Sequence, residues 1–264
     1  MKLKTLFSKS GLNCIQFKNN ELLWQGKEGF WSDTAPVLFP ICGFLKDGYF
    51  IHQNKKYKMP VHGICSLFDF NNEGSSSFTL RSSEETKKFY PFDFKFTVHY
   101  EFKESILKIT FETENTGNVP LPYSVGWHPG FNTKPGSFIQ FNKDSFSRRK
   151  VSKDGLIGES EPFNIPNGKL ALDENTFTNG GIVIENHQSD VSLVTPEYKI
   201  DFKIDEFPHL VLWGQPGANF VCIEPWYGMG DPVDHNHQLS EKESLLLLAP
   251  GENKKLSLSL IFND

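Results

Sequence analysis

The sequence is poor in arginine and lacks the spacings that mark most cofactor and metal sites. Its arginines are Arg81, Arg148 and Arg149, so few side chains offer a planar pair of donors to a phosphate or carboxylate. The four cysteines show no CxxC spacing, which predicts reduced, buried thiols. Glycine-rich phosphate loops, GxSxG and HExxH are absent. These absences argue against nucleotide-binding enzymes and zinc proteases.

A large excess of one charge and a long apolar run are missing as well. The net charge is −5 at pH 7, and the one dense basic cluster is 148–150, so we expect no nucleic-acid partner. The longest apolar run, 245–249, is far below the roughly 20 residues that span a bilayer. The N-terminal segment has no apolar run of signal-peptide length. We therefore expect a cytoplasmic protein that does not enter a membrane.

The chain is instead rich in phenylalanine and in short alternating segments. In FDFKFTVHYEF (92–102) apolar and polar residues alternate strictly, and ILKITFETEN (106–115) continues the pattern after a short connection, which predicts an antiparallel hairpin. Further strands are predicted within 13–26, 47–59, 181–185, 198–205, 209–214, 220–224 and 255–262. No segment has a sustained helical period. The sequence thus predicts an all-β fold, a large sandwich of antiparallel sheets, as a single domain over 1–264.

Three short motifs carry candidate catalytic side chains. In VGWHPGF, His128 precedes Pro129, which favours an extended backbone at a strand exit. In FVCIEPW, Glu224 ends an apolar run before a proline, so a carboxylate is expected where the chain leaves its sheet. In MPVHGICS, His62 has a similar setting. Each histidine alone is more often structural than functional, and Glu224 alone is evenly balanced, but together they predict one polar site floored by aromatic rings.

Nearby residues refine this prediction. Gly126 and Gly130 flank His128 and are expected to leave room for another molecule. In DHNH, His235 and His237 would share one face of an extended segment, as metal ligands do. Because no third ligand is evident there, a solvated loop is favoured, and no metal is expected.

Five segments in order resemble the aldose 1-epimerase (galactose mutarotase-like) family, especially its LacX-like branch. They are 35–50, 59–70, 115–131, 211–231 and 245–260. The resemblance implies a β-supersandwich whose concave sheet holds a sugar, with Glu224 as general base, His128 as general acid and His62 binding the sugar near its ring oxygen. The residue types suit this chemistry, since anomer exchange needs an acid and a base but no cofactor.

The chain departs from that branch at two arginine positions, which hold Phe44 and Ser66. Lys46 would supply one compensating donor, Asn179 would stand for the sugar-binding aspartate, and Trp213 would lie near the site. The predicted partner is therefore a small-molecule sugar.

Three other functions stay open from the sequence. A carbohydrate-binding protein with lost catalysis would explain the missing arginines. A hexose 6-phosphate mutarotase would use Lys46 and Lys58, and a two-carboxylate glycosidase would use a second acid among Asp69, Asp231 and Asp234. The identity of the sugar and the oligomeric state are not predicted.

Overall fold

Nearly all regular structure in the computed structural model, which describes residues 4–8, 11–74 and 76–263, is β-strand. The strands are β1 (Lys4–Ser8), β2 (Gly11–Phe17), β3 (Asn20–Glu21), β4 (Val37–Leu38), β5 (Tyr49–His52), β6 (Lys55–Lys58), β7 (Asn71–Asn72), β8 (Ser77–Arg81), β9 (Phe94–Lys103), β10 (Ile106–Asn115), β11 (Leu121–Tyr123), β12 (Val125–Trp127), β13 (Gly130–Asn132), β14 (Phe138–Phe141), β15 (Ser145–Val151), β16 (Ile157–Asn164), β17 (Lys169–Ala171), β18 (Ile182–Glu185), β19 (Val191–Val194), β20 (Lys199–Lys203), β21 (His209–Trp213), β22 (Phe220–Tyr227), β23 (Leu246–Leu248) and β24 (Asn253–Asn263). Short 3-10 helices cover Lys46–Gly48, Thr86–Lys88, Pro166–Gly168 and Leu239–Glu241. Within the described residues, no helix is long and apolar enough to cross a membrane.

Two large antiparallel sheets dominate the fold. One has nine strands in the order β17-β14-β19-β20-β24-β10-β9-β8-β7. The other has eight, in the order β16-β15-β18-β21-β22-β12-β4, with β13 also paired to β22. Smaller sheets are β1-β2-β3, β11-β23 and β5-β6. The predicted all-β sandwich is confirmed.

The main apolar core lies between the two large sheets. Phe111 and Leu258 enter it from the nine-stranded sheet, and Leu212 and Ile223 enter it from the eight-stranded sheet. Because successive residues of a strand point to opposite faces, the neighbours of Ile223 point away from this core. One of those neighbours is Glu224, so its carboxyl group lies on the other face of the eight-stranded sheet.

The predicted hairpins form where turn chemistry and alternation agree. β9 and β10 pair from Phe94 with Asn115 to Lys103 with Ile106. β5 and β6 turn through Gln53 and Asn54, which both adopt positive φ, as a tight hairpin turn requires. One apolar position of the predicted alternation is not buried. Phe102 is 36% exposed, because the end of this hairpin extends past the core.

All four cysteines are buried, as their spacing predicts. Cys65 donates to the carbonyl of Phe39 (3.7 Å). Cys42 and Cys222 lie in two small apolar clusters apart from the main core. The cluster of Cys222 also contains Trp24 and Phe220.

Candidate active site

A break in one strand places His128 beside Glu224. β12 pairs with β22 at Val125 and Gly126, and β13 pairs with it again from Gly130 onward. Residues 127–129, the Trp-His-Pro segment between these two strands, form no backbone pairing with β22. The interruption lies opposite Glu224 and Pro225, where the absence of a proline N–H donor is tolerated. The prediction that Glu224 lies at a strand end is therefore wrong, because β22 continues through Pro225 to Tyr227.

Glu224 and His128 form a buried pair. His128 Nε2 lies 3.4 Å from Glu224 Oε2, and the side chains are 10% and 1% exposed. The indole N–H of Trp226 donates to the same carboxyl oxygen (3.2 Å). His128 Nδ1 is buried and has no hydrogen-bond partner within the described part of the chain. A buried polar atom left open in this way indicates a place for a ligand or water molecule.

His62 completes a cluster of three polar side chains. Its ring centre lies 5.1 Å from that of His128, edge to face. Its Nδ1 accepts a hydrogen bond from the backbone N–H of Gly43 (3.2 Å). His62 and Gly63 both have positive φ, and a Cβ on Gly63 would lie 2.2 Å from the carbonyl oxygen of Phe39. This compact turn explains why glycine follows the histidine.

Aromatic rings form the walls of the site. Trp31 stacks on His128 with centroids 4.8 Å apart, and Trp213 meets His128 edge to face at 5.8 Å. Trp127 instead lies fully inside the core, where its indole N–H donates to the carbonyl of Ala35. The aromatic surface beside the histidine is therefore supplied mainly by Trp31, which no sequence motif singled out.

The glycines around His128 serve protein packing, contrary to the prediction that they leave room for a ligand. A Cβ on Gly126 would lie 2.9 Å from the Trp226 ring and 3.1 Å from Cys42 Sγ. A Cβ on Gly130 would lie 2.7 Å from the Trp31 ring. The absence of a side chain lets the tryptophans of the site approach the backbone.

A cavity of about 510 Å³ opens over this cluster. Glu224, His128, His62 and Trp213 all line it. Beyond them its lining is largely apolar, with Val183 and Val211 beside Glu224 on neighbouring strands and Phe44 at the mouth. Phe44 packs against Gly155 in the β15–β16 turn, where a Cβ would lie 2.4 Å from the ring.

Two residues predicted to bind the sugar are not among those lining this cavity. Lys46 Nζ donates to the carbonyl of His235 (3.0 Å), outside the cavity lining. Asn179 lines the neighbouring cavity, although Gly180 and Gly181 border both. Of the six predicted site residues, the structure thus brings four together.

His235 in the DHNH segment is buried, so the prediction of a solvated loop is wrong for this residue. Its side chain is buried, and its Nδ1 lies 3.3 Å from Asp231 Oδ2. His237 stacks on Tyr49. The two rings contact separate partners, Asp231 and Tyr49, and neither lines the cavity.

Burial disfavours charge on the Glu224–His128 pair. It raises the pKa of Glu224 well above its usual range, against a smaller lowering by the Trp226 hydrogen bond. Burial, and then the neighbouring His62, lower the pKa of His128 well below 6.5. Burial lowers the pKa of His62 to about 4. Both shifts disfavour the charged forms, so for a pair that holds a single proton burial favours that proton on Glu224 rather than on His128.

Buried histidines should make stability fall in acid, and His209 offers a separable case. It is 4% exposed, and burial lowers its pKa to about 4. The unfolded chain binds this proton near pH 6.5, whereas the folded protein binds it only near pH 4. The contribution of neutral His209 to the free energy of unfolding is therefore present above pH 6.5 and is lost between pH 6.5 and 4. We expect His209→Gln to remove up to about 3 kcal/mol of that loss. Urea unfolding at pH 7, 5.5 and 4.5 measures the free energy of unfolding of both proteins. If this free energy falls with pH equally in the wild type and in His209→Gln, the lowered pKa of His209 is contradicted.

Comparisons with known proteins place the chain in a family. The model of the aldose 1-epimerase family matches residues 12–260. The plasmid and chromosomal LacX proteins of Lactococcus lactis subsp. lactis are 26% and 27% identical to the chain, over 98% of it and 95% of each relative. A galactose mutarotase related enzyme from Lactobacillus acidophilus aligns with a TM-score of 0.90 at 26% identity, covering 100% of this chain and 98% of that one. A galactose mutarotase-like protein from Lactobacillus casei has a TM-score of 0.91 at 25% identity, covering 99% and 97%.

The family match and the structural neighbours both span nearly the whole sequence. The fold that these neighbours share contains both large sheets, and Glu224, His128 and the cavity described above lie on the eight-stranded one. The chain therefore belongs to the aldose 1-epimerase family and is LacX-like within it.

Proposed function

We propose that this protein interconverts the α and β anomers of a free aldose. The observation that carries the proposal is the buried Glu224–His128 pair, separated by 3.4 Å at the base of a cavity with aromatic walls. Mutarotation changes the protonation of O1 and of the ring oxygen, which are bonded to the same carbon. An acid and a base in contact with each other match that separation.

The reaction would use the single proton of the pair. It starts with the carboxylate and the imidazolium; Glu224 takes the proton of the O1 hydroxyl while His128 protonates the ring oxygen, so the ring opens to the aldehyde. The pair then holds its proton on Glu224, the arrangement that burial favours. After C1 rotates, the same transfers in reverse close the ring on the other face.

The other residues of the site would bind and orient the sugar. Trp31 and Trp213 present apolar ring surfaces on which sugar C–H groups pack. His62 lies within reach of a group bound at His128 and is proposed to hydrogen-bond near the ring oxygen. Lys46 and Asn179 stay predictions from the sequence, as do the single domain over 1–264 and the cytoplasmic location.

The structure gives less support to a phosphorylated substrate. Arg148 is paired with Glu161 (2.8 Å), and Arg149 donates to the carbonyl of Gly158 (2.7 Å). Lys46 and Lys58, the lysines that this alternative would use, do not line the cavity. Lys153 does line it, but Asp33 and Asp154 line it as well, so the charged residues of the lining carry no excess of positive charge. A free sugar is therefore the favoured substrate.

The first test is polarimetry of freshly dissolved α-D-glucose and α-D-galactose with the wild type and His128→Asn. Asparagine keeps hydrogen-bonding capacity but cannot transfer a proton near neutral pH. We expect the wild type to accelerate the approach to the final rotation and the variant to lose about 10²–10⁴-fold of that rate. Near-ultraviolet circular dichroism confirms that the variant is folded.

His52→Asn is the matched control, because His52 lies outside the cavity, in β5, and should leave the rate unchanged. A folded His128→Asn protein with wild-type rates would contradict the assigned acid. Saturable sugar binding without any acceleration would instead favour a carbohydrate-binding protein.

A further inference from the structure

A thiol lies close to the catalytic pair, on the same side of the same strand. Cys222 precedes Glu224 by two residues in β22, so both side chains point to one face of the sheet. One potential ligand atom from each of His128, Cys222 and Glu224 lies within 4.8 Å of the others, and all three residues are buried. Cys222 does not line the sugar cavity, so the proposed isomerisation makes no use of its sulfur.

These three groups have the chemistry of an open zinc site. Thiolate, imidazole and carboxylate are the protein ligands that Zn²⁺ takes, and sites with three of them leave a fourth position for water or another small ligand. The usual bond lengths imply separations of roughly 3.3–3.6 Å between tetrahedral ligand atoms. His128 Nε2 and Glu224 Oε2, at 3.4 Å, already have that separation. The thiol would need to move closer by about 1 Å, within the reach of a side-chain adjustment.

Charge balance favours one divalent ion in this position. Glu224 and Cys222 are 1% and 0% exposed, so separate negative charges on both would be costly. One Zn²⁺ replaces the two protons of the carboxylic acid and the thiol, and these protons pass to solvent. The buried group therefore remains neutral when the metal binds, as it is without the metal.

We propose that His128, Cys222 and Glu224 bind Zn²⁺ as a reversible inhibitor at the base of the sugar cavity. The ion would occupy both proton-transferring side chains, and its open position would face the sugar. Soft thiolate selects zinc and similar ions, whereas Mg²⁺ and Ca²⁺ prefer sites with oxygen ligands alone. The inhibition rests on the proposed mutarotation, but the binding does not.

The test follows binding and rate separately in metal-free full-length protein. We expect Co²⁺, a spectroscopic substitute for Zn²⁺, to give a near-ultraviolet thiolate-to-metal charge-transfer band. Micromolar Zn²⁺ should abolish that band and reduce the mutarotation rate at least tenfold, and a chelator should restore the rate. Mg²⁺ at the same concentration should have no effect.

The decisive variant is Cys222→Ala, with Cys222→Ser as a second form in case the alanine protein is unstable. Both should keep mutarotation close to wild type and lose the Co²⁺ band, and Zn²⁺ should bind about 100-fold more weakly or worse, since even outer-sphere partners of a metal contribute 10- to 100-fold. Cys65→Ala is the matched control, because Cys65 is also buried but outside the group, and it should keep both the band and the inhibition.

The outcomes separate the two proposals. No thiolate band in the wild type, or equal zinc inhibition in the wild type and both Cys222 variants, would overturn the metal site. A normal band in a protein that accelerates no sugar would leave the metal site standing and contradict the mutarotase assignment. Rapid mutarotation that Zn²⁺ does not change would support the mutarotase assignment and contradict the inhibitory metal site.

Discussion

Glu224→Gln should abolish mutarotation and at the same time stabilise the protein. The amide has nearly the same shape, and its oxygen can still accept the hydrogen bond of the Trp226 indole. It cannot accept the O1 proton, so we expect the rate to fall by about 10²–10⁴-fold. Polarimetry at low temperature, where the uncatalysed reaction is slow, measures that loss.

The stability gain follows from the direction of the pKa shift. Burial raises the pKa of Glu224 in the folded protein above its unfolded value, so the folded state binds more protons once the pH exceeds about 4.5. The free energy of unfolding of the wild type therefore falls as the pH rises through this range. Glutamine does not titrate, and we expect the variant to gain roughly 1–3 kcal/mol at pH 7, with the difference shrinking toward pH 4.5.

Glu112→Gln is the matched control, since it removes a carboxylate whose pKa is shifted in the opposite direction. Hydrogen bonds from His99 and Lys255 lower the pKa of Glu112 despite its partial burial. That variant should keep full activity and gain no stability. A Glu224→Gln protein that melts below the wild type, or that remains active, would show that the carboxyl group is an ordinary structural partner.

The strands were predictable because their local signals agree with the global fold. In β9, β10 and β24 the two-residue period marks the buried face. The turns of β5–β6 and β9–β10 are short polar segments, which mark where each hairpin reverses. The end of β22 was not predictable from Pro225 alone. A proline breaks a ladder only where a partner needs its N–H, and the interruption between β12 and β13 removes that need.

The site was predictable only in part, because its members come from distant parts of the chain. Glu224, His128 and His62 each lie beside a proline or glycine, which marks them within the sequence. Trp31 carries no such mark, since it lies in a loop and reaches His128 only through tertiary packing. Cys222 has a local signal, its two-residue spacing from Glu224, once β22 is known to be continuous.

The misassigned residues show the same limit. Lys46 is next to the cavity in sequence, but the buried Asp231 and His235 beside it take up its backbone N–H and its ammonium group. Asn179 is one residue from a glycine that lines the site, and the turn directs it into the neighbouring cavity. A position next to a site residue in the sequence places the backbone near the site, but it does not determine which groups the side chain contacts.

Lys242→Met should cause the largest loss of stability among single substitutions outside the main core. Lys242 Nζ lies 2.8 Å from Asp231 Oδ1, and both side chains are 1% exposed. Burial lowers the pKa of Lys242, opposed by the carboxylate. The other oxygen, Oδ2, accepts the backbone N–H of Lys46 (3.0 Å). Methionine fills similar space but leaves a buried carboxylate without its cation, a change that typically costs about 3–5 kcal/mol.

The measurement is urea unfolding of the wild type, Lys242→Met, Asp231→Asn and the double variant at pH 7. Because the double variant removes both charges, it should be considerably more stable than the two single losses added together predict. Lys88→Met provides the exposed comparison, since its ion pair with Glu85 is solvated and should contribute less than about 1 kcal/mol. Additive losses in the double variant would contradict a direct pair.

Asp231 also donates its backbone N–H to the carbonyl of Phe44, so loss of this pair should loosen the cavity mouth and raise KM before it lowers kcat.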